Sequence, residues 1–186
     1  MLAEHRLPDR SPASRAVRER EAQFYLESKC WDRYIYMYHV QHWPAILLSL
    51  QDQIPVDQYL QLTAEIWNSP QFDAFTCDFI VEAMMRADRE TVRLNLMTAA
   101  EQKLFDELPQ SLRLYRSHQR LNEKNVSWAL DLQSALDYMD LIDNKFVSTA
   151  SVTKEYCAAL FARRRDQEII LFPRTLSKIV VQPYTL

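Results

Sequence analysis

The sequence runs to 186 residues and contains no glycine. Average usage of roughly 7% would place about 13 in a chain of this length. Chance does not produce such an absence; a sequence made glycine-free, or a lineage selecting against glycine, does. Phosphate-cradling loops of the Walker or Rossmann kind need glycine for close backbone approach, so both fingerprints are excluded as usually written. Turns that need a positive φ must fall to other residues, and asparagine is the least costly substitute. Asn68, Asn95, Asn122, Asn125 and Asn144 are the candidates.

Cysteine is scarce. Cys30, Cys77 and Cys157 are odd in number and share no metal-type spacing, which argues against a disulfide framework. They read as buried thiols of a reducing cytosol, so a cytoplasmic location is expected. His39 and His42 stand three apart near Cys30, but no third ligand is well placed, so no metal site is expected. Long apolar runs are missing too. Runs such as residues 45–48 are far too short for a bilayer, and residues 1–20 are too charged for a signal peptide; no membrane partner is expected. A net charge of -3 gives no general footprint for nucleic acid, so no stable nucleic-acid binding is expected.

What is present is ordinary for a globular protein: 48% hydrophobic and 25% charged residues. Residues 1–14 are polar and carry two prolines, and read as a flexible N-terminus. Residues 15–108 read as helical. Ser11-Pro12 offers a helix start, and Ile54-Pro55 and Ser69-Pro70 give further starts. The aromatic stretch 31–42 suits helix or strand, and with Trp43-Pro44 it suits a helix pair broken at the proline. Its Trp31, Tyr34, Tyr36, Tyr38 and Trp43 read as core rather than as a base-stacking platform. Thr98 and Glu101 have the spacing of a capping box. After Pro109 the apolar period changes from that of helices to that of strands. Strands are expected over 112–116, 126–128, 146–152, 169–172 and 178–181, with a helix from Leu132 capped by Asp131. Residues 154–162 fit a helical turn or a strand. The expectation is an α+β protein whose region 109–186 is a compact mixed part with the helices packed on it.

Three polar residues sit on or beside these strands: Arg116, Ser127 and Glu168. In order and context, LRLYRS (112–117), NVSWALDLQSALDYM (125–139) and VTKEYCAALFARRRDQEIILF (152–172) resemble the bacterial and phage ADP-ribosyltransferase-like family. In that family an arginine ends a strand, a serine-containing segment follows, and a glutamate lies in an acidic-X-Glu turn before an apolar strand. Here those positions are Tyr115-Arg116-Ser117, Ser127-Trp128-Ala129 and Asp166-Gln167-Glu168. The close resemblance covers about residues 108–173.

The resemblance implies a small two-sheet fold with a cleft, and NAD as substrate. Glu168 would hold the ribose and stabilise an oxocarbenium-like transition state. Asp166 would face the incoming acceptor, Arg116 would hold NAD with its rigid donor fork, and Ser127 would orient the glutamate. Trp128 would pack either in the core or against nicotinamide, and His118 would touch the nucleotide or serve as a loop residue. Arg163-Arg164-Arg165 reads as a solvated loop that could also steer phosphates. The implied activity is mono-ADP-ribosyl transfer after cleavage of the nicotinamide–ribose bond, to a protein or nucleic-acid acceptor that the resemblance leaves open. Ser117 and Asn125 stand where the family has glycine, and Ala129 where it has threonine. They support an alternative: a catalytically inactive fold of this kind that binds a protein partner, or a glycine-free engineered variant. Asn125, at a family glycine position, is the first choice for a positive φ.

Overall fold

A computed structural model describes residues 12–69, 78–118, 125–141, 146–162, 167–178 and 180–183. The chain divides into two compact units, Met1–Ala74 and Phe75–Leu186. The switch from helix to strand comes later, between the helix Ala99–Glu107 and the strand Ser111–His118.

The first unit is helical: α1 (Pro12–Glu27), α2 (Trp31–Tyr36), α3 (Trp43–Ser49) and α4 (Val56–Asn68). Proline opens α1 and stands in the first turn of α3, where a missing N–H costs nothing. The aromatic stretch is thus helical, and its break falls at residues 37–39, before the 3-10 turn Val40–His42, rather than at Pro44. Trp31, Tyr34 and Tyr38 are buried. Trp43 is half-buried and donates its indole N–H to the Tyr38 carbonyl at 2.9 Å. Tyr36 departs from the core reading: it is exposed and donates its hydroxyl to Glu65 at 2.8 Å.

Lys29 is the non-glycine residue with positive φ among the described residues, at 58°. It follows α1, where the Cys30 N–H reaches the Tyr25 carbonyl at 2.9 Å and the Lys29 N–H the Leu26 carbonyl at 3.3 Å. That is a Schellman ending, whose left-handed position usually goes to glycine. The asparagine expectation is corrected accordingly. Asn68 lies inside α4 and Asn95 inside the helix Arg89–Leu96, and Asn125 does not have positive φ. Asn125 instead uses its Oδ1 to accept the Val126 N–H at 2.6 Å. Asn122 and Asn144 lie outside the described residues.

The second unit opens with α5 (Asp78–Met85), α6 (Arg89–Leu96) and α7 (Ala99–Glu107). The sequence reading missed α6, although its Asp88 cap was there to find: Oδ1 accepts the Thr91 N–H at 2.9 Å. Hydrogen bonds from Thr91 hold that carboxyl below its ordinary range. The capping box of α7 is formed as expected.

The strands are β1 (Ser111–His118), β2 (Ser127–Ala129), β3 (Phe146–Thr153), β4 (Cys157–Phe161), β5 (Glu168–Leu171) and β6 (Val181–Pro183), with α8 (Leu132–Leu141) between β2 and β3. Segment 154–162 is both things expected of it, a 3-10 turn and then β4. The protein is α+β. The two-sheet expectation is corrected: the strands form a single six-stranded antiparallel sheet in the order β4-β5-β2-β1-β3-β6. The physical reason lies at its middle. β1 and β3 pair along their whole length, from Ser111↔Thr153 to His118↔Phe146, but β1 and β2 meet at Tyr115↔Ala129 alone. That one pair joins two three-stranded halves into one ladder.

Helix α8 packs on β1, β2 and β3, and α6 and α7 pack on β4. Strand β4 is therefore buried along its length although it is an edge strand. Its outward backbone groups are met by side chains. Arg93 donates to the Cys157 carbonyl from Nε at 3.0 Å and Nη2 at 2.9 Å. The Leu160 N–H points to Met97 Sδ at 3.3 Å, and the Ala162 N–H to Glu101 Oε1 at 2.9 Å. An edge blocked in this way offers no template for a foreign strand. No helix among the described residues is long and apolar enough to cross a membrane.

Candidate functional site

The site is built on β2 and β5. The β-branched run Ile169-Ile170 suits a buried strand, and β5 lies between β4 and β2. Its register on β2 pairs Ser127 with Ile170 and Ala129 with Glu168. Hydrogen bonds beyond the strand ends lock that register: Leu171 N–H to the Val126 carbonyl at 2.7 Å, and Leu130 N–H to the Gln167 carbonyl at 3.1 Å. Side chains of paired residues share a face, so Ser127, Ala129 and Glu168 lie on one face and Trp128 on the other. Ser127 and Glu168 are diagonal neighbours there, a separation that a long side chain can bridge. The bridge is made: Ser127 Oγ donates to Glu168 Oε1. Ala129, directly across from Glu168, is too short to occupy the space between.

Arg116 arrives from β1. Its Nη1 donates to the Ser127 carbonyl at 2.5 Å. β1 pairs with β2 only at Tyr115↔Ala129, and the guanidinium takes up the carbonyl two residues before Ala129. Ser127 thus receives Arg116 on its carbonyl and gives its hydroxyl to Glu168. All three residues are half-buried, which leaves each partly open to solvent. A carboxylate held by a hydroxyl can bind a ribose hydroxyl and stabilise a developing cation; Arg116, next to Tyr115 on β1, starts from the other face of the sheet and reaches Ser127 at its backbone.

The other candidates are placed differently. Trp128 is 1% exposed and donates its indole N–H to the Asn125 carbonyl at 2.7 Å, so its ring belongs to the core. His118 is 5% exposed and ends β1 rather than standing in a loop. Its Nε2 shares a hydrogen bond with Ser148 Oγ at 2.7 Å, and its ring stacks on Phe146 at 5.9 Å between centroids. Ser117, at a family glycine position, is buried. Asp166 and Arg163-Arg164-Arg165 lie outside the described residues.

Sequence reasoning also missed Glu101 as a neighbour of the site. It is 2% exposed, and its carboxylate reaches the residue after β4, the strand that pairs with Glu168. The capping-box spacing marked Glu101 as structural; no sequence signal marked the second oxygen's partner. Neither family models, nor curated proteins, nor solved structures provide a match to this chain.

Proposed function

We propose that the chain is an NAD-dependent mono-ADP-ribosyltransferase. NAD is its substrate, and a protein or nucleic-acid nucleophile is its acceptor. The observation that carries this reading is the convergence on Ser127: its hydroxyl on Glu168 and its carbonyl under Arg116. In this reading the bond between nicotinamide nitrogen and ribose C1′ breaks, and its electron pair leaves with nicotinamide. The acceptor then bonds C1′ and loses its proton. Glu168 lies beside the carbon where positive charge develops, and Ser127 keeps one carboxylate oxygen turned to a fixed direction. By resemblance Arg116 is assigned to a phosphate or ribose oxygen of NAD, which its planar donor fork suits. Asp166 is assigned to the acceptor side by resemblance.

A second reading has its own support. Trp128 and His118 are buried, so neither offers a surface to a nucleotide, and an inactive fold that binds a protein partner accommodates both. Incubation with NAD and detection of free nicotinamide separates the two. Release that disappears in Glu168→Gln supports the enzyme. No release from folded protein at high concentration supports the binding module.

A further inference from the structure

The buried carboxylate of Glu101 is divided between two tasks. Oε2 serves the start of α7, accepting the Thr98 N–H at 2.8 Å and the Thr98 hydroxyl at 2.9 Å. Oε1 leaves that helix and accepts the Ala162 N–H at 2.9 Å, across 61 residues of sequence. Ala162 directly follows Phe161, the last residue of β4, and Phe161 is the register partner of Glu168. β4 is an edge strand, and a bulge or irregularity between Cys157 and Ala159 interrupts its ladder to β5, so a bond at its outgoing end adds a second point of attachment. A helix cap by itself needs no buried carboxylate: an exposed one serves as well. The use of the second oxygen on the outgoing end of β4 is what a cap does not explain.

We propose that Glu101 is a positioning residue for Glu168. It clamps the end of β4, β4 holds β5 at the Phe161↔Glu168 pair, and Glu168 is thereby kept where the Ser127 hydroxyl meets it. The proposal rests on the reading of Glu168 as the functional carboxylate.

The test compares Glu101→Ala, Glu101→Gln and Thr98→Ala in the full chain, with Glu101→Asp, one methylene too short for both tasks, used if the alanine variant does not fold. Amide hydrogen exchange reads position without reference to NAD. Glu101→Ala is expected to speed exchange at Ala162 and Glu168 about tenfold or more beyond Thr98→Ala, which loosens the cap but leaves Oε1 in place. Steady-state nicotinamide release reads the consequence. kcat should fall on the order of 10²-fold, the size that a misplacement of about 1 Å produces, with KM within about twofold. Glu101→Gln keeps an oxygen for the Ala162 N–H and should restore most of kcat. Unchanged exchange at Glu168 overturns the proposal. So does faster exchange with kcat unaltered, or a Thr98→Ala variant as impaired as Glu101→Ala. If the unsubstituted protein releases no nicotinamide, the NAD reading falls, and the exchange comparison alone decides the role of Glu101.

Discussion

Among the described residues of the helical unit Met1–Ala74, most side-chain hydrogen bonds close within a turn or so of helix. Ser28 bonds the Phe24 carbonyl, Thr63 the Tyr59 carbonyl and Asn68 the Ala64 carbonyl, each four residues back. In the unit Phe75–Leu186 such local bonds occur too, at Asp88 and in the Thr98–Glu101 box, but others reach across the fold. Arg93 bonds the Cys157 carbonyl 64 residues away, and Ser127 bonds Glu168 41 residues away. The first unit can order its elements one at a time, with aromatic burial supplying the rest. The long-range bonds of the second form only when distant segments have already met. Loop-closure entropy opposes such contacts until they form together. A site built from them is rigid for the same reason, because no single member moves without the others.

The largest effect is expected where the long-range bonds converge. Glu168→Gln keeps size and removes charge, so nicotinamide release should fall on the order of 10²–10³-fold, with the melting temperature nearly unchanged. Arg116→Ala should instead weaken NAD binding, since its partners are present in the ground state. If both variants melt early by a similar amount, the two contacts to Ser127 are structural. If both are stable with full turnover, the site assignment fails.

Next comes Arg93. Besides the Cys157 carbonyl it bonds Glu155 O at 2.9 Å and lies over the rings of Phe105 and Phe172. Arg93→Ala should cost about 2–4 kcal/mol by denaturant unfolding, because the carbonyls of Lys154, Glu155 and Cys157 lose a charged donor together. A loss under about 0.5 kcal/mol, the size of an ordinary surface change, would break the contrast between local and long-range support.

The cysteines sharpen the comparison. Burial pushes the Cys157 thiol up to about 12, against an ordinary 9.0, while Cys30 is half-buried. At pH 8 a thiol reagent followed by peptide mapping should label Cys30 and leave Cys157 untouched until unfolding. The sign for stability follows. The unfolded thiol ionises first, so the contribution of Cys157 is complete below about pH 9 and is lost as pH rises toward 12. At pH 10 the loss should be on the order of 1 kcal/mol, and Cys157→Ala should remove that part of the slope. Prompt labelling of folded Cys157 would contradict its burial.

The smallest effect belongs to the local side. Lys29→Gly relieves a left-handed lysine and should stabilise the helical unit by about 1 kcal/mol. A destabilised variant would mean that the lysine side chain contributes more than its backbone costs.

The sequence by itself determined the elements whose causes are local. Proline at the start of α1, Asp131 before α8 and the Thr98–Glu101 box each act within a few residues, so each could be read directly. The period change after Pro109 announced the strands in the same way. It also ordered Arg116, Ser127 and Glu168 along the chain, but not their contacts. Tertiary structure alone decided that Ser127 and Glu168 are diagonal on one face, because that depends on the register of β5 against β2, and no periodicity within either strand encodes it. It decided that one pair, Tyr115↔Ala129, fuses two expected sheets into one. It buried Trp128 and His118, whose residue types allowed either role. It moved the missing glycine's task from asparagine to Lys29, since a helix end takes the left-handed conformation wherever its last turn happens to stop. And it gave Glu101 a second partner 61 residues away. A cap is a property of four consecutive residues, whereas a clamp exists only after α7 has packed against β4.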